Sequence, residues 1–597
     1  MRLTVAIEEI INIDMFKIIN FKNVDLLLLA ILAVAAIARC WGINFGLPNI
    51  NCRPDEIITV AKAFRVGTGN LNPEYFFHPA FYFYFISIFY GLYFVLGFIF
   101  RRYTSILDFA LEYTKDPANF YLIARSITAL LGTLTVFIVY LIARDLFDKR
   151  TARVSALFLG FAYLHVRDSH YATTDVAQAF LIMASVFFIM KCAEIKTLKN
   201  YVLAGVLCGL AAATKYAGVF LALPMSIIHV FNISDEKKGL IDKRIVWFAV
   251  AVALAFLIGA PFTVLDFPHF KDNIFKQFEK LSIMHTDIYI GKAFWRQFSF
   301  SLFFGLGWSL LFSSIAGFFI FAKKNLKKAI IFCSFPLLYY AFSGKGNDAY
   351  ARYMIPIVPF LCITAAVFAV TLGERLSGYF KIRSANIMIS ILAVLILFPS
   401  VHNIVRYDEL LAKRDNRLVA ADWVVENIPK GSSIFQFGIS WSHIFASPKT
   451  DSLKIHYSNA LKKGDMKTAG MINEVLQCIQ DRDINRYVQY MYDIDEQTFK
   501  FNNDKVGIPQ YIILTKPPTL AGYNANFIAK KYYKPFYGDN LILKILKKYY
   551  NLEKTFEALD INNKKNLYDF QDAFYIPFAG FVGVQRPGPN IYIYKKK

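Results

Sequence analysis

Charge is scarce in this sequence. Only 18% of its 597 residues are Asp, Glu, Lys or Arg, against about 25% in an ordinary soluble protein. A chain so poor in charge does not coat a large soluble particle, and 56% of it is hydrophobic. Phosphate-cradling loops are missing too. There is no GxxxxGK[ST] and no GxGxxG after a strand, which removes the usual handholds for soluble nucleotides. The seven cysteines show no CxxC and no metal-like spacing. Cys192, Cys208, Cys333 and Cys362 fall in apolar runs and read as small core residues. No cleavable signal peptide is evident, because a polar N-terminus leads straight into a full-length anchor. A net charge of +22 would suggest nucleic acid in a soluble protein. Here much of it sits in short loops between apolar runs, where it reads as an orientation signal.

What fills the chain is apolar sequence of helix-spanning length. A weakly amphipathic, mixed-charge stretch at 1–23 precedes a first run at about 25–42. A long loop from Asn44 to about Phe120 is interrupted by an aromatic segment at 79–100. Further runs fall at 121–143, 154–166, 176–190, 201–214, 216–232, 245–263, 298–322, 329–342, 353–373 and 385–402. Such repetition predicts a polytopic membrane protein. Loops 144–153, 191–199, 233–244, 323–328 and 375–383 hold 18 Lys and Arg, against 9 in 167–175, 215, 264–297 and 343–352. The positive-inside rule puts the first set in the cytoplasm, provided 79–100 is interfacial or re-entrant. Its dense Phe and Tyr suit an interface, although its length would also allow a crossing.

The expected architecture is an all-α membrane domain over 1–402, with about 11 transmembrane helices and interfacial helices in the first outer loop. The N-terminus is expected in the cytoplasm and the protein in the plasma membrane. Residues 403–597 hold no spanning run. Leu418, Val419, Trp423, Val424 and Ile428 follow helical spacing, while YIILT (511–515) and NIYIY (590–594) read as strands. A small soluble α/β domain on the outer side is the expectation there.

Polar clusters gather on that same outer face. CRPDEIITVAKAF holds the adjacent acids Asp55 and Glu56, with Pro54 suited to a first helical position. The plain reading of two acids there is complementing the helix dipole. HVRDSHYATTDV supplies His165, Arg167, Asp168, His170 and Asp175; Lys215 stands at a turn between two short runs. Asp266, His269 and Lys271 follow in the longest loop, then Lys345, Asp348, Tyr350 and Arg352. Each alone reads as a solvated loop residue. Grouped near membrane depth, where ionisable groups are costly, they point to a site. The cytoplasmic loops are too short for a nucleotide-binding domain, so a group-transfer enzyme of this shape would use a lipid-anchored donor. DRD (481–483) and DID (493–495) imitate a metal-binding triplet that is common by chance.

An outer-loop PDE, the aromatic HPAFYFYF and RDSHYATTDVAQAF together resemble the GT-C membrane glycosyltransferases. The nearest group is the protein O-mannosyltransferases and lipid A aminoarabinose transferases. AGVLCGLAAATKYAGVFLALP, GAPFTVLDF and ARYMIPIVPFL extend the resemblance over about 25–400. It implies an inverting transferase moving a hexosyl or pentosyl unit from a polyprenyl-phosphate donor to an acceptor hydroxyl on protein, lipid or glycan. It gives Asp55 the role of catalytic base, a task one positioned carboxylate can perform. Asp175 takes the place of the family's second acid, orienting the acceptor or sharing a divalent ion with Asp55; His170 and Asp168 are further candidate ligands. No other cofactor is implied. Glu56 either assists or caps its helix. Arg352 is the first expected donor-phosphate contact, because a guanidinium pairs two oxygens, followed by Lys215, Arg167 and His78. The lipid A branch has a lysine where this chain has His78. Two rivals share the polytopic form. A lipid-sugar flippase or transporter would call for paired ionisable groups within spans or inverted repeats; the other is an oligosaccharide ligase or polymerase.

Overall fold

Every apolar run of the sequence is helical in the computed structural model of the chain. It describes residues 25–237, 242–282, 293–346, 349–382, 384–438, 442–445, 450–462, 464–480, 488–490, 509–516, 539–560 and 576–597, with Gly239, Asn563 and 565–569. The 1–23 stretch, Asp348, DRD and DID lie outside the described residues.

Helix α1 spans Leu26–Cys40 and opens on Asp25, whose side chain accepts from the Leu28 amide. Asp25 also binds Arg153 at 2.9 Å, so the start of α1 is tied to the start of a later helix. Next come α2 (Pro54–Val66), α3 (Phe81–Ile99), α4 (Ala118–Leu146), α5 (Lys149–Gly160), α6 (Thr174–Glu194) and α7 (Leu198–Thr214). They are followed by α8 (Ala222–Glu236), α9 (Lys243–Gly259), α10 (Phe267–Ser282), α11 (Trp308–Lys324), α12 (Leu326–Ser343), α13 (Val358–Tyr379) and α14 (Ala385–Leu411). Among the described residues six helical stretches are long and apolar enough to cross a membrane, or seven if one pair bent by 110° counts as a single span. The protein is therefore a multi-pass membrane protein, mostly helical, as the GT-C resemblance implies. The count falls short of about 11 because several runs make helices too short to cross alone. α1 and α7 have 15 and 17 residues. The 298–322 run breaks at Gly307, whose φ of +80° ends one helix before α11 begins.

Helix α3 is long enough to cross, yet its partners lie along the first half of α4. The Tyr82 hydroxyl meets Thr128 at 2.6 Å and the Tyr90 hydroxyl donates to the Phe120 carbonyl at 2.9 Å. It thus runs antiparallel to 120–128 of α4 and away from its far end. At its start Phe81 lies against Gly259, the last residue of α9. Phe64, Tyr90, Tyr113 and Phe120 form an aromatic cluster that glues α2 and α3 to this half of α4. Elsewhere small residues let backbones approach, as in membrane bundles. A Cβ on Gly209 of α7 would meet the Val252 carbonyl of α9 at 2.4 Å.

After α14 come α15 (Asn416–Asn427), the strands β1 (Ser433–Phe437), β2 (Val488–Tyr490) and β3 (Tyr511–Lys516), then α16 (Asp539–Tyr549), β4 (Tyr550–Phe556) and β5 (Asn590–Lys596). The sheet order is β2-β1-β3-β5-β4. β1 pairs parallel with β2 and β3, whereas β5 runs antiparallel to β3 and β4. Alternation decides its two faces. Ile434, Ile513 and Ile593 pack on Ala420 and Val424 of α15. Phe435, Phe437, Ile512 and Leu514 pack on Ile542 and Leu546 of α16.

Candidate active site

Five chain segments deliver one charged residue or histidine each to the same place. Pro54 opens α2 and puts Asp55 in its first turn, where backbone N–H groups lack helical acceptors. Asp175 holds the matching position in the first turn of α6. Lys215 ends α7 in extended backbone, with φ at −156°. Arg352 belongs to a 3-10 segment, Ala351–Ile357, that leads into α13. His78 precedes α3.

Arg352 links the two acids. Its Nη1 donates to Asp55 Oδ2 at 2.6 Å, and its Nε lies 3.9 Å from Asp175 Oδ2. Lys215 Nζ donates to the other Asp175 oxygen at 2.5 Å. Tyrosine rings flank both cations. The Tyr350 ring lies 4.4 Å from the Arg352 guanidinium, and Tyr353 lies 4.9 Å from Lys215 Nζ. The Asp55 side chain is 36% exposed and that of Asp175 only 4%. Asp55 is thus the acid that an arriving molecule can reach. The His78 imidazole is half-buried, and desolvation pushes its pKa down to about 4, with Lys215 and Arg352 pulling the same way against Asp175 and Asp55. Its Nδ1 has no hydrogen-bond partner among the described residues. Beside it, burial and then Asp55 push Tyr75 up to about 12. Tyr75 was not anticipated, and only the aromatic tone of NPEYFFHP hints at it.

Four other expected residues stand apart from this group, each for a physical reason. Glu56 is fully buried. Both its oxygens are gripped by Arg125, Nε to Oε1 at 2.9 Å and Nη2 to Oε2 at 2.7 Å, and Oε1 also accepts from the Ala172 amide. Arg125 in turn donates to the Ile43 and Phe45 carbonyls. Glu56 is therefore a tie between α2, α4 and two loops, neither a second acid at the site nor a simple helix cap. Arg167 and Asp168 pair with each other at 2.9 Å, buried, with Arg167 over the Phe578 ring at 5.1 Å. His170 is enclosed between the Val166 and Trp41 carbonyls, 3.6 Å from Asp408. The short helix Tyr163–Asp168 buries Arg167 and Asp168, and His170 is enclosed just beyond it. The four candidate metal ligands thus do not converge. Among the described residues no three His, Cys, Asp or Glu side chains form a metal-holding group. What surrounds Asp55 and Asp175 is cationic.

The long loop expected at 264–297 begins as a brace. Asp266 accepts from Asn72 Nδ2 at 2.7 Å and meets His269 Nδ1 at 2.7 Å. Phe76 stacks edge-on against Phe270 of α10, and its carbonyl accepts from the Tyr216 hydroxyl at 2.8 Å. These contacts fix the segment that ends in His78.

Chemically, the site offers one reachable carboxylate beside a fork of cationic donors. That set can take a proton from a hydroxyl and can hold an anion with two or more oxygens.

Comparison with known proteins finds a family match over part of the chain. Residues 121–262 match the dolichyl-phosphate-mannose-protein mannosyltransferase family. That stretch includes Asp175 and Lys215. No curated protein matches the chain. Among solved structures, ArnT of Cupriavidus metallidurans bound to undecaprenyl phosphate shares 14% identity and a TM-score of 0.48, covering 82% of this chain and 92% of that one. The oligosaccharyltransferase AglB of Archaeoglobus fulgidus, with an inhibitory peptide and a dolichol-phosphate, shares 12% identity and a TM-score of 0.44, covering 82% and 69%. The S. cerevisiae O-mannosyltransferase Pmt1-Pmt2 complex bound to the sugar donor shares 20% identity and a TM-score of 0.28, covering 42% and 33%. The resemblance to GT-C membrane glycosyltransferases read from the outer-loop motifs is borne out.

Proposed function

We propose that the chain is an inverting glycosyltransferase that moves a sugar from a polyprenyl-phosphate donor to an acceptor hydroxyl. The observation that carries this reading is Arg352, held between Asp55 and Asp175 with Lys215 alongside. In the reaction the acceptor oxygen attacks the anomeric carbon as the C–O bond to phosphate breaks. The leaving polyprenyl phosphate keeps the electron pair, and the acceptor proton passes to Asp55. A phosphate is already a good leaving group, so it needs charge stabilisation more than protonation. Arg352 and Lys215 supply that, and the neutral His78 ring supplies a hydrogen bond. Attack opposite the leaving group inverts the anomeric centre. Asp175 anchors both cations and orients them. The match to a family named for a dolichyl-phosphate sugar donor supports the donor class over 121–262.

The face carrying Asp55 is read as the extracytoplasmic side of the plasma membrane, with 403–597 on that side as a separate domain. Purified protein should convert a defined polyprenyl-phosphate monosaccharide in the presence of an acceptor, and Asp55→Asn should lower turnover by about 10²–10⁴-fold while leaving the melting temperature unchanged. Undiminished turnover by the variant would sink the role of Asp55. Turnover of lipid-linked oligosaccharide alone would make the protein a ligase, and lipid translocation without transfer would make it a flippase.

A further inference from the structure

The segment bearing Arg352 is held from outside the membrane helices. The amide of Ala351, the residue just before Arg352, donates to Asp569 Oδ2 at 3.0 Å. Ala351 is fully buried and Asp569 is 3% exposed. This N–H opens the 3-10 segment and has no helical acceptor, and the Asp569 carboxylate satisfies it. On the other side, Gln297 Nε2 donates to the Tyr350 carbonyl at 3.2 Å. The backbone on the N-terminal side of Arg352 is thus pinned twice. Asp569 itself sits on a stiff mount. Leu567 pairs with Ala579, and Asn566 Nδ2 donates to the Gly580 and Val582 carbonyls. Gly580 has a φ of +73°, and a Cβ there would meet the Lys565 carbonyl at 2.0 Å. The mount is seated on the helices by Phe578, which stacks on Phe300 at 5.2 Å and lies 5.6 Å from Tyr163.

The segment leading to Asp55 has a similar hold. Asn49 Nδ2 donates to the Ile444 carbonyl at 3.0 Å, and Arg417 Nη1 donates to the Asn51 carbonyl at 3.4 Å. Arg417 is itself fixed by Asp415, Nη2 to Oδ2 at 2.7 Å.

We propose that Asp569 is a positioning residue: through the Ala351 amide it fixes the arginine that faces Asp55, so the C-terminal region completes the transfer site. The part of this concerning donor binding rests on the transferase reading; the part concerning where Arg352 is held does not. The full-length protein is compared with Asp569→Ala and Asp569→Asn, the second keeping an oxygen that can accept from the amide. Two readouts are taken, hydrogen exchange over 349–357 and affinity for polyprenyl monophosphate. Asp569→Ala should speed exchange in 349–357 and weaken lipid phosphate binding by about tenfold, while Asp569→Asn stays close to wild type in both. Unchanged exchange in Asp569→Ala overturns the proposal. Equal loss in both variants overturns it too, because charge or general folding would then matter instead of the bond to Ala351. If the wild type binds no polyprenyl phosphate, the transferase reading falls while exchange still decides the placement of Arg352.

Discussion

Replacing Arg352 by lysine would keep the charge and remove the fork. One nitrogen of Arg352 reaches Asp55 while another faces Asp175, and a single ammonium cannot span both. Arg352→Lys should therefore raise the donor KM by about ten- to a hundredfold, measured in steady-state assays, with Lys215→Met giving a loss in the same range. At this scale the sequence was half legible. Asp175, Lys215, Arg352 and His78 each flank an apolar run and Asp55 lies in the loop after the first one, and the structure brings all five together. Arg167, Asp168 and His170 carry the same chemistry a few residues from Asp175, yet the short helix Tyr163–Asp168 buries the first two and His170 is enclosed just beyond it. Nothing in HVRDSHYATTDV distinguishes a side chain aimed at the site from one aimed at α14. Glu56 was misread for a related reason. Its partner Arg125 sits inside a long apolar helix, where a lone arginine gives no sign of its acceptor.

Between elements, the Glu56–Arg125 pair ties the helix that carries Asp55 to α4. Removing one partner of a buried ion pair costs about 3–5 kcal/mol. Glu56→Ala should lower the melting temperature in detergent well before it alters the chemistry of Asp55. Glu56→Gln, which keeps one acceptor oxygen, should lose less. The α7–α9 contact offers a second test. Gly209 lets the Val252 backbone approach to a distance that any Cβ would violate, so Gly209→Leu should force the helices apart and cut the yield of folded protein, measured by size-exclusion chromatography. Helices were legible as elements because apolar runs are long. Which of them cross was less so, since α3 passes on length but packs beside only the first half of α4. The strands YIILT and NIYIY were readable from their β-branched and aromatic residues. The parallel neighbours of β1 were not, because pairing order depends on segments distant in sequence.

For the molecule as a whole, His78 is one of the groups through which pH acts. Its folded pKa of about 4 lies below the ordinary 6.5, so the unfolded chain takes up the proton first. Stability should fall as pH drops from about 6.5 toward 4 and level off below. His78→Asn should flatten part of that slope in melting curves recorded across the range. The C-terminal region belongs to the same whole. Asp569 was invisible in the sequence because its partner is a backbone amide more than two hundred residues earlier.

The site's two acids and two cations cancel, and a neutral His78 adds nothing. A polyprenyl-phosphate sugar is a diester and brings one negative charge. Once the sugar has left, the spent carrier is a monoester with a second ionisation near pH 6 and nearly twice the charge at neutrality. Arg352 and Lys215 would then hold the product more tightly than the donor it came from. Spent polyprenyl phosphate should inhibit competitively against donor, with an inhibition constant below the donor KM and falling further between pH 6 and 8. Carrier release would set the pace of turnover, and an enzyme that clears the freed lipid phosphate would speed this one without touching it.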